Sequence, residues 1–251
     1  MRLSSSVFNK ETSSFIRTNL AQRTVLTLGS GLVSIFDPHR DDMISAFGEL
    51  TSFQVLPKLH KQMSSDPEGS LILKERPIIT SSILNLSKLA TYPENTFGRK
   101  YVEFLKRNNI TPDTRKPVRF IEDQDLAYVM QRYREIHDFT HCILDLKTNM
   151  LGEVTVKVFE AIQLDLPMCW LAGMFGMLRL GPKHTQAYLD KYLPWIIQNA
   201  KQSKPLINVY FEKHFEKPID ELRQELNLTL LNESESKAEQ IRQKEFTENV
   251  N

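Results

Sequence analysis

Residues 166–178 are the stretch that most restricts how this chain can fold. They read Leu-Pro-Met-Cys-Trp-Leu-Ala-Gly-Met-Phe-Gly-Met-Leu, thirteen residues without a charge between Asp165 and Arg179. A bilayer span needs roughly 18–20 apolar residues, so the stretch is too short to cross one. A helix that is apolar on every side must still be covered by something. It is therefore a buried core helix, or it faces lipid, a partner, or the inside of an isoprenoid-sized groove. Ala172 and Gly176 stand four apart, with Gly173 beside Ala172. Small residues at that spacing let another helix approach closely, within the chain or from a second copy in a homodimer.

The rest of the chain reads mostly as helix. Met43, Ala46, Phe47, Leu50 and Phe53 recur at helical spacing, which predicts a helix over 41–63 that Pro57 kinks or ends early. Further helices are expected over 80–89, 96–108, 122–146, 152–163, 183–201, 206–215 and 219–226, with a two-proline loop at 111–118. In 122–146, Leu126, Val129, Met130 and Tyr133 share one side. The valines of 152–163 also allow a strand. The expected fold is all-α: a single helical domain with a metal site between a long central helix and the helix that follows it. With 251 residues the chain can bury a sizeable core in one domain, assigned to 25–231.

Both ends differ from this body. Residues 1–36 hold Arg2, Lys10, Arg17 and Arg23 against a single acid, Glu11, among many Ser and Thr. That pattern predicts a mitochondrial transit peptide over 1–24. The segment 232–251 has five glutamates, three basic residues and few large apolar ones, and is expected to be a frayed or solvated tail.

Composition removes several functions. A net charge of +1 argues against a nucleic-acid surface. Nine glycines leave little for phosphate loops, and neither G-x-G-x-x-G nor G-x-x-x-x-G-K-[ST] occurs. Two cysteines, Cys142 and Cys169, build neither a disulfide framework nor a Cys-rich zinc site.

Chemistry concentrates in Arg134-Glu135-Ile136-His137-Asp138-Phe139-Thr140-His141. On a helix, His137 and His141 project from one face and Asp138 borders it. Two imidazoles and a carboxylate make up most of a metal site. Asp145, one turn on, or Glu153, just past the next turn, would supply the fourth donor. A mixed nitrogen and oxygen shell suits zinc, with iron and manganese as alternatives. The motif is not H-E-x-x-H, because Asp stands where a metalloprotease needs its glutamate base. Read blandly, His137 and Asp138 form a surface ion pair and His141 is a satisfied core histidine. A His-Asp phosphohydrolase would also need His60 and Asp165, and neither lies in a matching motif.

His137-Asp138-x-x-His141, eleven residues and then Glu153 resembles the metal motif of the coenzyme Q biosynthesis protein 4 family. Four further stretches match in order: Leu73-Lys74-Glu75-Arg76-Pro77, Asn95-Thr96-Phe97-Gly98, Pro112-Asp113-Thr114-Arg115 and Lys204-Pro205-Leu206-Ile207-Asn208-Val209-Tyr210. The resemblance covers roughly 27–228. It implies a helical fold with zinc on His137, Asp138, His141 and Glu153. It implies peripheral attachment to the matrix face of the mitochondrial inner membrane, within a complex of coenzyme Q biosynthetic proteins that the family organises. It also implies removal of the C1 carboxylate of a 4-hydroxy-3-methoxy-5-polyprenylbenzoate, with that carbon becoming hydroxylated: a metal-dependent carbon–carbon lyase. Arg134, one turn before Asp138, would orient a carboxylate or pair with Asp138. The prenyl tail would lie along 166–178. The alternative is a non-catalytic, zinc-stabilised, lipid-binding scaffold of the same complex.

Overall fold

A computed structural model describes residues 15–37, 40–115 and 117–234. Thirteen α-helices are described: α1 Leu20–Phe36, α2 Asp41–Thr51, α3 Leu56–Ser65, α4 Pro67–Glu75, α5 Ser81–Leu84, α6 Leu86–Leu89, α7 Phe97–Asn108, α8 Gln124–Ile143, α9 Met150–Leu164, α10 Pro167–Met177, α11 Pro182–Ala187, α12 Leu193–Gln202 and α13 Ile219–Glu225. The described residues contain no strand, so the all-α expectation holds. The presequence expected at 1–24 falls largely outside the described residues, and its last five positions open α1. Most of the expected tail also lies outside them.

The long central helix is there, and it is more deeply buried than an amphipathic pattern implies. Asp123 caps α8 by accepting from the backbone N–H groups of Asp125 and Leu126. Every residue from Ala127 to Ile143 is then buried. Its back is anchored by Phe139, which packs against Phe97, Tyr101, Phe211 and Phe215 at ring separations of 4.5–5.9 Å. On a 100° pitch Phe139 sits about 200° from both His137 and His141. The same contact that buries the aromatic side therefore turns both imidazoles toward α9.

Several expected boundaries move. The helix expected over 41–63 is two: it breaks after Thr51, and Pro57 stands in the first turn of α3, where its missing N–H costs nothing. The 80–89 helix splits at Asn85, whose left-handed backbone (φ 40°) ends α5 while its side chain caps α6. Segment 152–163 is helical despite its valines, as part of α9. In 183–201 a wide turn over Tyr188–Tyr192 separates α11 from α12, with the Leu193 N–H reaching the Tyr188 carbonyl. This shift of register accommodates Pro194, which has no N–H to give. Segment 206–215 is not a helix but two 3-10 turns, Leu206–Asn208 and Phe211–Lys213. They bring the Val209 carbonyl and Glu212 onto the fully buried Arg132.

The uncharged stretch forms α10 and is only half covered. Its two glycines lie on α9, where a β-carbon at Gly173 would crowd Val158 and one at Gly176 would crowd Val154. Trp170, Met174 and Leu178 face outward. Of the alternatives for this stretch, the fully buried core helix is set aside, and the outer side stays open to lipid or a partner. Among the described residues no helix is long and apolar enough to cross a membrane.

Candidate metal centre

The turn between α8 and α9 builds the site. Asp145 is left-handed (φ 53°), the Leu146 N–H reaches the His141 carbonyl at 2.9 Å, and the Asp145 N–H reaches that of Cys142 at 3.3 Å. This is a Schellman end to α8. It commits Asp145 to the exposed helix terminus and removes it from the competition for the fourth ligand. Asn149 then caps α9 by accepting from the Gly152 N–H, which sets Glu153 in the first turn, facing back toward α8.

Three of the expected residues converge. His137 Nε2 lies 3.4 Å from Glu153 Oε2, and His141 Nε2 lies 3.3 Å from Glu153 Oε1. One ligand atom from each of the three falls within 4.8 Å of the others. Two atoms each about 2.0–2.1 Å from one tetrahedral ion stand about 3.3 Å apart, so the spacing fits a divalent cation. His141 Nε2 is buried and has no hydrogen-bond partner, as an unused metal-ligating lone pair would be. Burial pushes the Glu153 carboxyl up, but the two imidazoles, when protonated toward it, outweigh this and hold the acid well below the usual range.

The other ring nitrogens are held from behind. His141 Nδ1 points at the Leu146 carbonyl, 3.3 Å away. His137 Nδ1 lies 2.6 Å from Glu160 Oε1 and 3.3 Å from Lys157 Nζ. An ammonium has nothing to accept with, so the short bond to Glu160 defines the tautomer: Nδ1 donates and Nε2 is left for the cluster. Glu160 Oε2 accepts from Lys157 Nζ at 2.7 Å and from the Tyr133 hydroxyl at 3.0 Å. Burial raises the Glu160 carboxyl, and Lys157 and His137 more than reverse this, so it stays ionised. Carboxylate–histidine pairs of this kind fix ligand orientation around metals. Sequence reasoning missed Glu160, although Glu153, Lys157 and Glu160 form a charged stripe at helical spacing on an otherwise apolar helix.

The fourth motif residue and the candidate arginine have other partners. Asp138 is buried, and its Oδ1 accepts from the Arg115 guanidinium at 2.6 Å. Arg134 does not pair with Asp138. It reaches Glu49 Oε1 at 3.0 Å and the Ser45 hydroxyl at 2.9 Å on α2, because that side of α8 faces α2. Glu49 also accepts from the backbone N–H groups of Arg119 and Phe120, tying the 117–120 loop down. Beside this junction, Val25, Leu26, Val33, Met43 and Ala46 line an apolar groove of about 500 Å³ between α1 and α2.

A helical protein with a histidine–carboxylate cluster shaped for a divalent cation, carried on two consecutive helices, is the class that fold and site define. The family model for the coenzyme Q (ubiquinone) biosynthesis protein Coq4 matches residues 13–232, and the chain belongs to that family. It is 49% identical over 219 residues to the mitochondrial ubiquinone biosynthesis protein COQ4 homolog of Bombyx mori, covering 87% of this chain and 85% of that one. The human counterpart is 44% identical over 217 residues, covering 86% and 82%. The fold is also similar to the crystal structure of a protein from Nostoc punctiforme provisionally assigned to ubiquinone biosynthesis. That likeness has a TM-score of 0.65 at 20% identity, over 81% of this chain and 97% of that one.

Proposed function

We propose that this chain performs a metal-dependent step of ubiquinone synthesis: removal of the C1 carboxylate of a 4-hydroxy-3-methoxy-5-polyprenylbenzoate. The observation that carries the reading is the convergence of His137, His141 and Glu153 on one cation-sized point while Asp138 is held by Arg115. Three protein ligands with an open position are the pattern of catalytic sites, whereas a closed set of four is that of structural ones. This favours the enzyme over the scaffold. Zinc is the ion best matched to two imidazoles and a carboxylate, with Asp138 beside it as the remaining motif residue.

When bound, the cation supplies Lewis-acid stabilisation of negative charge on the substrate. The protein's own groups do the rest. Glu160 keeps Nε2 of His137 turned into the site. Glu153 is about one third exposed, which gives substrate and water a way in beside the buried histidines. The bond from C1 to the carboxylate breaks, its electron pair stays on C1, and a proton from water takes the place of CO₂. Placing a hydroxyl on that carbon removes two further electrons and calls for an external oxidant such as dioxygen.

Exposed apolar side chains support a peripheral attachment to a membrane, which this reading assigns to the matrix side of the mitochondrial inner membrane. Leu20, Val25, Leu28, Leu32 and Phe36 are exposed along α1, and Met174 and Leu178 along α10. The two helices are linked where the Arg179 guanidinium donates to the Ile35 carbonyl. The α1–α2 groove offers apolar space for a prenyl tail that α10, open on its outer side, does not enclose. Partners would be other coenzyme Q biosynthetic proteins, with a second copy of this chain as an alternative neighbour.

The test is release of labelled CO₂ from a carboxyl-labelled prenylated hydroxybenzoate, read beside elemental analysis. The zinc-loaded protein should release CO₂, and His141→Ala and Glu153→Gln should lose both metal and release. Full metal content with full release in either variant overturns the assignment.

A further inference from the structure

Arg115 is a cation beside the cluster that no ligand role uses, held by Asp138 and within electrostatic reach of Glu153. Asp138, the residue after His137, takes the guanidinium through one oxygen at 2.6 Å. No second acceptor engages it among the described residues, and its Nε–H is buried without a partner. A guanidinium has five N–H groups in a planar fork and is best satisfied by a carboxylate that takes two of them in parallel. Arg115 instead has one single-oxygen contact and an unmet buried donor, while its side chain is still 31% exposed. Leaving a charged donor unpaired is costly unless something arrives to meet it.

Charge leads to the same place. The Glu160–Lys157 pair is neutral as a unit, and Asp138 cancels Arg115. Glu153 then leaves a divalent ion with one positive charge unmatched. One monocarboxylate neutralises the site, whereas a neutral phenol does not.

We propose that Arg115 is the anchor of a carboxylate subsite, in which its guanidinium, steadied by Asp138, receives the acid group of an aromatic carboxylate lying against the metal cluster. The proposal rests on the decarboxylase reading. Arg115 acts as a positioning and specificity residue: it grips the group that is about to leave and loses its hold once CO₂ has gone. A cation on the carboxylate stabilises the bound acid more than the state in which charge has moved into the ring. Its removal therefore weakens acid binding without slowing bond cleavage.

The experiment measures equilibrium binding to the zinc-loaded full chain by calorimetry. The probes are a short-chain 5-prenyl-4-hydroxy-3-methoxybenzoate and the same compound lacking the carboxylate. Wild type should prefer the acid by about tenfold or more, the scale of one charge-assisted pair. Arg115→Gln should bring that ratio close to one, and Arg115→Lys should restore part of it. Zinc content should be unchanged in both variants, and KM should rise while kcat does not fall. A preference for the acid that survives in Arg115→Gln overturns the subsite and leaves the decarboxylase reading intact. A wild type without preference overturns the subsite, and the labelled-CO₂ assay decides the decarboxylase reading separately. Unfolding of Arg115→Gln would shift the reading to Arg115→Lys, where a preference undiminished from wild type overturns the subsite.

Discussion

Replacing Glu160 with Gln isolates the support of the metal centre from the ligands themselves. Glu160 touches no cation-binding atom, yet its two oxygens serve four donors: His137 Nδ1–H, Lys157 Nζ, the Tyr133 hydroxyl and, at 3.7 Å, the Cys169 thiol. Glutamine has nearly the same shape but only one acceptor oxygen. Tyr133 can turn its hydroxyl to accept from the new amide, but His137 and Lys157 cannot both be served. If the amide oxygen goes to Lys157, the His137 ring loses the bond that fixes its tautomer. If it goes to His137, the Lys157 ammonium, only 15% exposed, loses its counter-charge. Loss of such an outer carboxylate weakens metal binding by about 10- to 100-fold, which is roughly 1.4–2.7 kcal/mol. Zinc affinity is read by competition with a chelating dye near neutral pH, with thermal melting of the metal-free protein to separate the loss of stability. An affinity within about threefold of wild type would refute the idea that Glu160 presets His137.

Gly152→Ala should destabilise the protein by about 1–3 kcal/mol and lower its zinc content, because a β-carbon there collides with the Lys147 carbonyl oxygen and displaces the turn that delivers Glu153. Denaturant titration and elemental analysis check this, and wild-type values for both would count against it. Burial drives the Glu135 carboxyl up to about 7, against the partly opposing hydrogen bond from Gln131. An acid raised on folding is neutral in both states below its ordinary value near 4.5, so its penalty grows as pH rises from there to about 7 and is then constant. Glu135→Gln should remove a slope of up to about 1.4 kcal/mol per pH unit across that window. Its amide can also meet the buried, unpartnered Gln131 Oε1. Stability curves at pH 5 and 7.5 that stay parallel for variant and wild type would contradict it.

Legibility followed the range of the interaction. The four-residue spacing of His137 and His141 is a consequence of helix pitch, and so is the proximity of Asp138. The caps at Thr96, Asp123 and Asn149 satisfy N–H groups two or three residues away and are equally local. Segment 206–215 failed as a helix because its conformation answers to Arg132, about eighty residues earlier in the chain. The split of 80–89 at Asn85 shows the opposite case, where a single left-handed residue with a capping side chain was a local signal that could have been used.

The chain's own order of residues decided that two imidazoles share one helical face, that the following helix opens with a glutamate, and that the fold is built of helices. Those facts depend on pitch, capping and hydrophobic spacing, all of which act within a few residues. Packing alone decided that Arg134 serves Glu49, and that Asp138 and Glu160 take Arg115 and His137. Each of these depends on the angle and register at which separate helices and loops come together. That is set by the whole core closing at once, and no short stretch of residues specifies it.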